Sequence, residues 1–233
     1  MAWIVAISGA AGGLGPTVAR AFLDAGAALA VAGRDATRLT QMLDAIGAPL
    51  ERRLATAADL ADPEAARAWA AAVTERFGKV DVVLHLVGGY AGGGALSDFQ
   101  MDDWRKLESM LVLTTFCVVR AFAAPLKAGG AGRFVAVTSL KAQAPTAKSA
   151  LYAAAKSASD ALVLALADEL RGSGATANLV VVDSIDVPGA PPASRKPYGK
   201  ATPAAEIAKA MLYLCSPEAA TVNGVRLPLT GRG

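Results

Sequence analysis

Short aliphatic runs alternate with longer Ala- and Leu-rich stretches along the whole chain, and this alternation restricts the fold more than any other feature. Residues 3–8, 28–33, 51–55, 80–86, 133–138, 175–182 and 225–229 read as strands. Residues 13–25, 36–46, 63–77, 100–128, 150–171 and 203–215 read as helices. The runs at 80–86 and 178–182 have little polar alternation, as expected of strands covered on both faces. Asp62-Pro63-Glu64 suits a helix start, with Asp as cap and Pro at the first position. Trp69, Val73 and Phe77 then give that helix an apolar stripe. The order predicts an α/β fold: one doubly wound parallel sheet of about seven strands, helices on both faces, and right-handed crossovers. No repeat or linker divides residues 1–233, so a single domain is expected. The proline-rich segment 183–201 leaves a strand's carboxyl end, where ligands bind in such sheets, and reads as a short substrate lid or a plain surface crossover.

The first 19 residues carry no charge, which invites a targeting or membrane reading. They have no basic leading region, and they include Ser8, Pro16, Thr17 and four glycines. The strongest apolar runs, at 110–119 and 161–167, fall short of the ~20 residues a bilayer requires. A cytoplasmic protein with no membrane partner is expected. One histidine and two cysteines exclude most zinc sites and any disulfide framework. A Ser-His-Asp hydrolase would have to use His85, and no Gly-x-Ser-x-Gly elbow accompanies it. The net charge of +3 comes with no basic stripe, which argues against nucleic acid and leaves a small-molecule substrate. Chemistry must come from glycines, hydroxyls, Lys and Arg, or from a borrowed cofactor.

The first strand runs directly into Ser8-Gly9-Ala10-Ala11-Gly12-Gly13-Leu14-Gly15, and a helix follows. Glycines there let backbone N–H groups approach a pyrophosphate at the helix N-terminus, where the dipole favours negative charge. The second strand ends at Gly33, so no carboxylate occupies the slot that would bind a ribose 2′-OH. Arg34 follows at once and suits a 2′-phosphate, while Asp35 reads as the cap of the next helix. This predicts NADP(H) in preference to NAD(H). A second glycine-rich run, 88–94, leaves the fourth strand beside the expected crevice.

Tyr152 and Lys156 are four residues apart and share a helix face. An ammonium ~4 Å from a phenol attracts the phenolate by about 4 kcal/mol at an effective dielectric of ~20. Such a neighbour is expected to lower the Tyr152 pKa and let it exchange a proton with a carbonyl or alcohol near neutral pH. Ser139, at the end of a strand, can hydrogen-bond the same substrate oxygen.

Together these residues resemble the short-chain dehydrogenase/reductase family over essentially the whole chain, which implies a Rossmann fold. The family's T-G-x-x-x-G-x-G is matched by Ser8 to Gly15, so Ser8, Gly9, Gly13, Leu14 and Gly15 are implied cofactor residues. The likeness adds Asp59-Leu60 at the adenine, Val87 and Gly88 after the fourth strand, and Ile185 of Ile185-Asp186-Val187-Pro188 at the carboxamide. It makes Ser139, Tyr152 and Lys156 the catalytic set, with Tyr152 as acid/base, counts Tyr152 and Lys156 among the cofactor residues too, and has Lys156 hold the nicotinamide ribose. Two departures stand out. The family's N-N-A-G reads His85-Leu86-Val87-Gly88, and the helical Asn that supports a proton relay aligns with Leu111. His85 reads as structural, with a substitute base as the alternative. The 87–93 run is similar to a loop of dihydropteridine reductases, which also lack that Asn; this chain differs in Ser139 and Arg34.

The expected activity is an NADPH-dependent oxidoreductase passing hydride to a C=O or C=N group of a small, cyclic substrate. The alternatives are a non-catalytic cofactor-binding protein on the same fold and a non-redox isomerase or lyase. The likeness also implies a homodimer or homotetramer.

Overall fold

The computed structural model describes residues 3–189 and 201–229. Seven parallel strands form one sheet: β1 (Ile4–Ser8), β2 (Ala28–Gly33), β3 (Arg53–Ala57), β4 (Val82–His85), β5 (Arg133–Ser139), β6 (Thr176–Val182) and β9 (Arg226–Pro228). Their spatial order is β3-β2-β1-β4-β5-β6-β9. The chain winds outward from β1 in one direction and from β4 in the other, which opens a crevice at the carboxyl ends of those two strands. Two short strands, β7 (Ile185–Asp186) and β8 (Thr202–Pro203), pair separately above this edge. The doubly wound parallel sheet expected from the alternation is therefore present.

Side chains leave each strand on alternate faces, and the two faces feed two cores. Val5, Ile7, Leu29, Val31, Leu84 and Val180 pack under α1 (Gly15–Asp24), α2 (Ala36–Ala45) and α7 (Ala204–Cys215). Ala6, Ala30, Val83, Phe134 and Leu179 pack under α3 (Pro63–Phe77), α5 (Thr114–Ala128) and α6 (Ala150–Glu169). Small Ala side chains on the second face admit large helix residues. There Trp69 and Phe122 meet edge to face at 4.8 Å, both fully buried. Each such burial stabilises the fold by roughly 1.5–3 kcal/mol. The expected caps are in place: Asp35 Oδ1 accepts from Arg38 N and Asp62 Oδ1 from Glu64 N.

Three expectations shift. The third strand begins at Arg53 because Leu50–Arg52 form a 3-10 turn first. The first helix begins at Gly15, because residues 9–14 form the turn itself. The stretch read as one helix at 100–128 is α4 (Met101–Leu107), a π-helical segment (Glu108–Leu113) and α5 in continuous succession. As a result Met101–Ala128, and likewise Ala147–Glu169, is long and apolar enough by length and composition to cross a bilayer. The shorter runs seen in the sequence did not reveal that. Both stretches pack one side against the sheet core. Of the lid segment 183–201, residues 190–200 lie outside the described residues.

Candidate active site

The turn after β1 depends on two close approaches. Gly9 has φ +76, and a Cβ there would sit 2.8 Å from Val87 N of the strand-four loop. A Cβ on Gly15 would overlap the backbone of Ala10. These glycines let the turn fold against β4 and against itself before α1 begins. The residue before α1, Leu14, offers no side-chain cap, so no cap side chain competes for the first-turn amides. A Cβ on Gly13 would face Val187 at 3.5 Å, which places the segment after β7 over the turn. Ile185 is half-buried against the same core. Ser8 is fully buried, and its hydroxyl points away from the turn to His85.

A cleft of about 830 Å³ opens at the crevice. Its floor is Gly9, Ala11 and Gly12, and one wall is Arg34, Arg38, Asp59 and Leu60. Leu86, Val87 and Gly88 continue toward β4, while Arg105, Lys106, Ser109 and Met110 face them from α4 and the π-helical segment. Glycine floor, uncapped helix and flanking guanidinium groups fit a dinucleotide. Arg34, anticipated from the sequence as a cofactor residue, lines this cleft. Arg38, Arg105, Lys106 and Met110 were not anticipated. Arg38 could have been found as the next residue on the Arg34 side of α2, but the others require the tertiary fold.

Ser139 ends β5 and is buried, with its Oγ accepting from Lys141 N at 3.2 Å. Tyr152 stands in the first turn of α6. Tyr90, from the glycine-rich loop, meets the Tyr152 ring edge to face at 5.1 Å. The phenol is pushed above its ordinary value by burial, with Ser139 opposing and the negative charges of Asp160 and Asp183 adding to the rise. This reverses the expected downward shift. Lys156 is buried one turn on, and its Nζ donates to Val137 O at 3.1 Å instead of bearing on the phenol. Burial lowers Lys156 to about 8, with Asp160 countering.

Leu111 is buried with Leu107 and Ala155, against which Tyr152 and Met110 also pack. Its carbonyl accepts from Thr115 Oγ1 at 2.6 Å and from Ser159 Oγ at 3.0 Å, so both lone pairs are occupied. His85 Nδ1 lies 2.7 Å from Ser8 Oγ, and Nε2 lies 3.0 Å from Thr115 Oγ1. Since Thr115 donates to Leu111, the chain of bonds assigns the His85 proton to Nε2. Burial, then the Lys156 charge, lowers His85 to about 3. It is a neutral tie between β1, β4 and the π-helical segment, the structural role expected. Among the described residues no group of three His, Cys, Asp or Glu is placed to hold a metal ion.

A family profile described as enoyl-(acyl carrier protein) reductase matches residues 9–231. The chain is 28% identical to 7alpha-hydroxysteroid dehydrogenase of Escherichia coli K12, covering 97% of this chain and 92% of that one. It is 31% identical to galactitol 2-dehydrogenase (L-tagatose-forming) of Cereibacter sphaeroides, over 97% and 92% of the two chains. The solved structure of 3-ketoacyl-(acyl-carrier-protein) reductase from Brucella melitensis, complexed with NADH, superposes with a TM-score of 0.87 at 25% identity, over 97% and 96%. The glycine turn, the parallel sheet and these relatives agree: the chain belongs to the short-chain dehydrogenase/reductase family of NAD(P)-dependent oxidoreductases.

Proposed function

We propose that this protein is an NADPH-dependent reductase of a C=O or C=N group in a small, cyclic substrate, with Tyr152 as general acid. One observation carries the reading. Buried Ser139 ends β5, Tyr152 stands in the first turn of α6 with its ring edge to face on Tyr90 at 5.1 Å, and burial raises the Tyr152 pKa so that the phenol is protonated at neutral pH. A protonated phenol is ready to give its proton to a heteroatom as hydride arrives at the neighbouring carbon. A bound nicotinamide supplies that hydride. Ser139 orients the accepting oxygen or nitrogen, and Lys156 holds the cofactor ribose. Of the remaining anticipated residues, Gly9, Asp59, Leu60, Val87 and Gly88 line the cleft, whereas Ser8, Gly13, Leu14, Gly15 and Ile185 do not. In this proposal Ser8 to Gly15 are assigned to the pyrophosphate, Asp59 and Leu60 to the adenine, and Val87, Gly88 and Ile185 to the nicotinamide side. Arg34 and Arg38, both exposed on the cleft wall, favour NADP(H) through a 2′-phosphate.

NADPH oxidation is measured over a panel of cyclic ketones, quinones and cyclic imines. Tyr152→Phe is expected to lose at least ~10²-fold in turnover; near-normal turnover refutes the acid role. Arg34→Ala should weaken NADPH about tenfold or more, the size of a lost charged hydrogen bond, and leave NADH alone. Tighter binding of NADH by the parent protein overturns the cofactor preference. A second reading, a cofactor-binding protein without turnover, is favoured by Leu111, whose side chain is apolar and whose carbonyl is fully occupied. NADPH binding with no reaction across the panel would select it.

Phe116, Leu113 and Met101 leave apolar surface on the free side of the 101–128 stretch. This supports a homodimer or homotetramer, which light scattering of the parent and of Phe116→Glu would test. The buried free thiols Cys117 and Cys215 suit a reducing compartment such as the cytoplasm.

A further inference from the structure

The buried face of α6 carries a second charge behind Lys156 that the proposed reaction does not use. Asp160 lies one helical turn beyond Lys156 and is 1% exposed. A carboxylate is almost never so buried unless it is paired. Its Oδ2 accepts from Arg226 Nε of β9 at 3.3 Å. Burial leaves the carboxyl above its ordinary value, with Thr138, Arg226 and the Lys156 charge opposing the rise without cancelling it, and Oδ1 finds no hydrogen-bond partner among the described residues. The Lys156 ammonium donates to Val137 O, the residue just before Thr138. One turn of α6 thus carries a buried ammonium that reaches β5 at Val137 and a buried carboxylate that reaches the guanidinium of Arg226 on β9.

A buried ammonium is costly unless an opposite charge accompanies it. The π-helical segment supplies none, because the Leu111 side chain is apolar and its carbonyl serves Thr115 and Ser159. We propose that Asp160, held by Arg226, is a positioning residue that keeps the buried Lys156 ammonium charged and in place for the active site. The proposal rests on the assignment of Lys156 to the cofactor ribose. The other titratable groups near this set are Tyr152 on α6, His85 on β4, Tyr90 in the glycine-rich loop and Asp183 after β6. His85 is neutral above about pH 3, the Tyr152 phenol is protonated at neutral pH, and Asp183 pairs with Lys141 at 3.7 Å, so Asp160 is the counter-charge of Lys156. Without it Lys156 should fall below its present value of about 8 and lose its proton as pH rises through the new, lower midpoint.

The test uses the full chain labelled with 13C at lysine Cε. The Lys156 resonance is assigned by its loss in Lys156→Met. In Asp160→Asn the Lys156 midpoint is expected to drop by at least about one pH unit, and NADPH, used as the probe, should bind normally at pH 6 but weakly at pH 8. An unmoved midpoint overturns the proposal. A lowered midpoint with unchanged NADPH binding supports the role of Asp160 and refutes the ribose assignment of Lys156. Should Asp160→Asn fail to fold, the reciprocal measurement decides. Lys156→Met, which replaces a buried cation with an apolar chain, must raise the midpoint of Asp160, followed by 13C at aspartate Cγ. No rise overturns the proposal.

Discussion

At Gly15 two effects of a single methyl group oppose each other. The residue opens α1, where Ala is a better helix former by about 1 kcal/mol. The added Cβ, however, would overlap the Ala10 carbonyl, and backbone on both sides leaves no room to yield. Overpacking against backbone costs about 3 kcal/mol or more, so the clash wins. Gly15→Ala is expected to lower the urea midpoint sharply and abolish NADPH binding. At Gly12 the Cβ would approach Gly9 O at 3.1 Å, which a small adjustment relieves, and Gly12→Ala should retain the fold. Equal losses in the two variants would refute the packing argument. The same contrast explains what was legible residue by residue. Helical spacing identified Tyr152 and Lys156 as neighbours, and glycine spacing located the turn. The direction of the phenol's shift was not legible, because spacing does not encode burial, and Lys156 found its acceptor in Val137 on β5. Asp160 stood at the same four-residue spacing beyond Lys156 and could have been read from it.

Among the elements, the π-helical segment at Glu108–Leu113 is the one that periodicity could not supply. Apolar spacing predicted a continuous helix there, and a helix is what forms. The extra residue per turn is stabilised by partners from elsewhere in the fold: Thr115 one turn on, Ser159 of α6, and His85 of β4 through Thr115. Such widened turns recur at functional sites, and this one delivers Ser109 and Met110 to the cleft. Thr115→Val removes a donor from the Leu111 carbonyl and an acceptor from His85 Nε2. The buried groups left short should cost about 1–3 kcal/mol, read as a lower urea midpoint at constant slope. Thr115→Ser, which keeps the hydroxyl, should recover most of it. A neutral Thr115→Val would mean that the hydroxyl bonds do not hold the segment. The strand β3 was displaced for a similar reason: Arg52 donates to the Leu23 and Ala27 carbonyls, which draws residues 50–52 into a turn before the strand begins.

Across the whole molecule, the sheet and its two cores followed from alternation alone, because buried parallel strands leave few other arrangements. The charge balance of that interior did not, since it depends on which of the few titratable groups the fold encloses. Two of them make stability depend on pH in opposite ranges. His85 takes its proton near pH 3 when folded but near its ordinary 6.5 when unfolded. Between those values the unfolded chain binds more protons, so stability is lost as pH falls from 6.5 toward 3, by on the order of 5 kcal/mol in all. Lys156 releases its proton near 8 when folded and near 10.5 when unfolded. In that window the unfolded chain again binds the extra proton, so this group's contribution to stability improves as pH rises, by on the order of 3 kcal/mol. Urea titrations from pH 4 to 10 on the parent, His85→Gln and Lys156→Met separate the two. His85→Gln should flatten the acid limb by up to about 1.4 kcal/mol per pH unit and leave the alkaline side unchanged. Lys156→Met should do the reverse. An acid limb equally steep with and without His85 would mean that the imidazole is protonated inside the folded protein. The Ser8–His85–Thr115 tie would then have to carry a charge beside Lys156, against the arrangement that keeps the lysine as the site's cation.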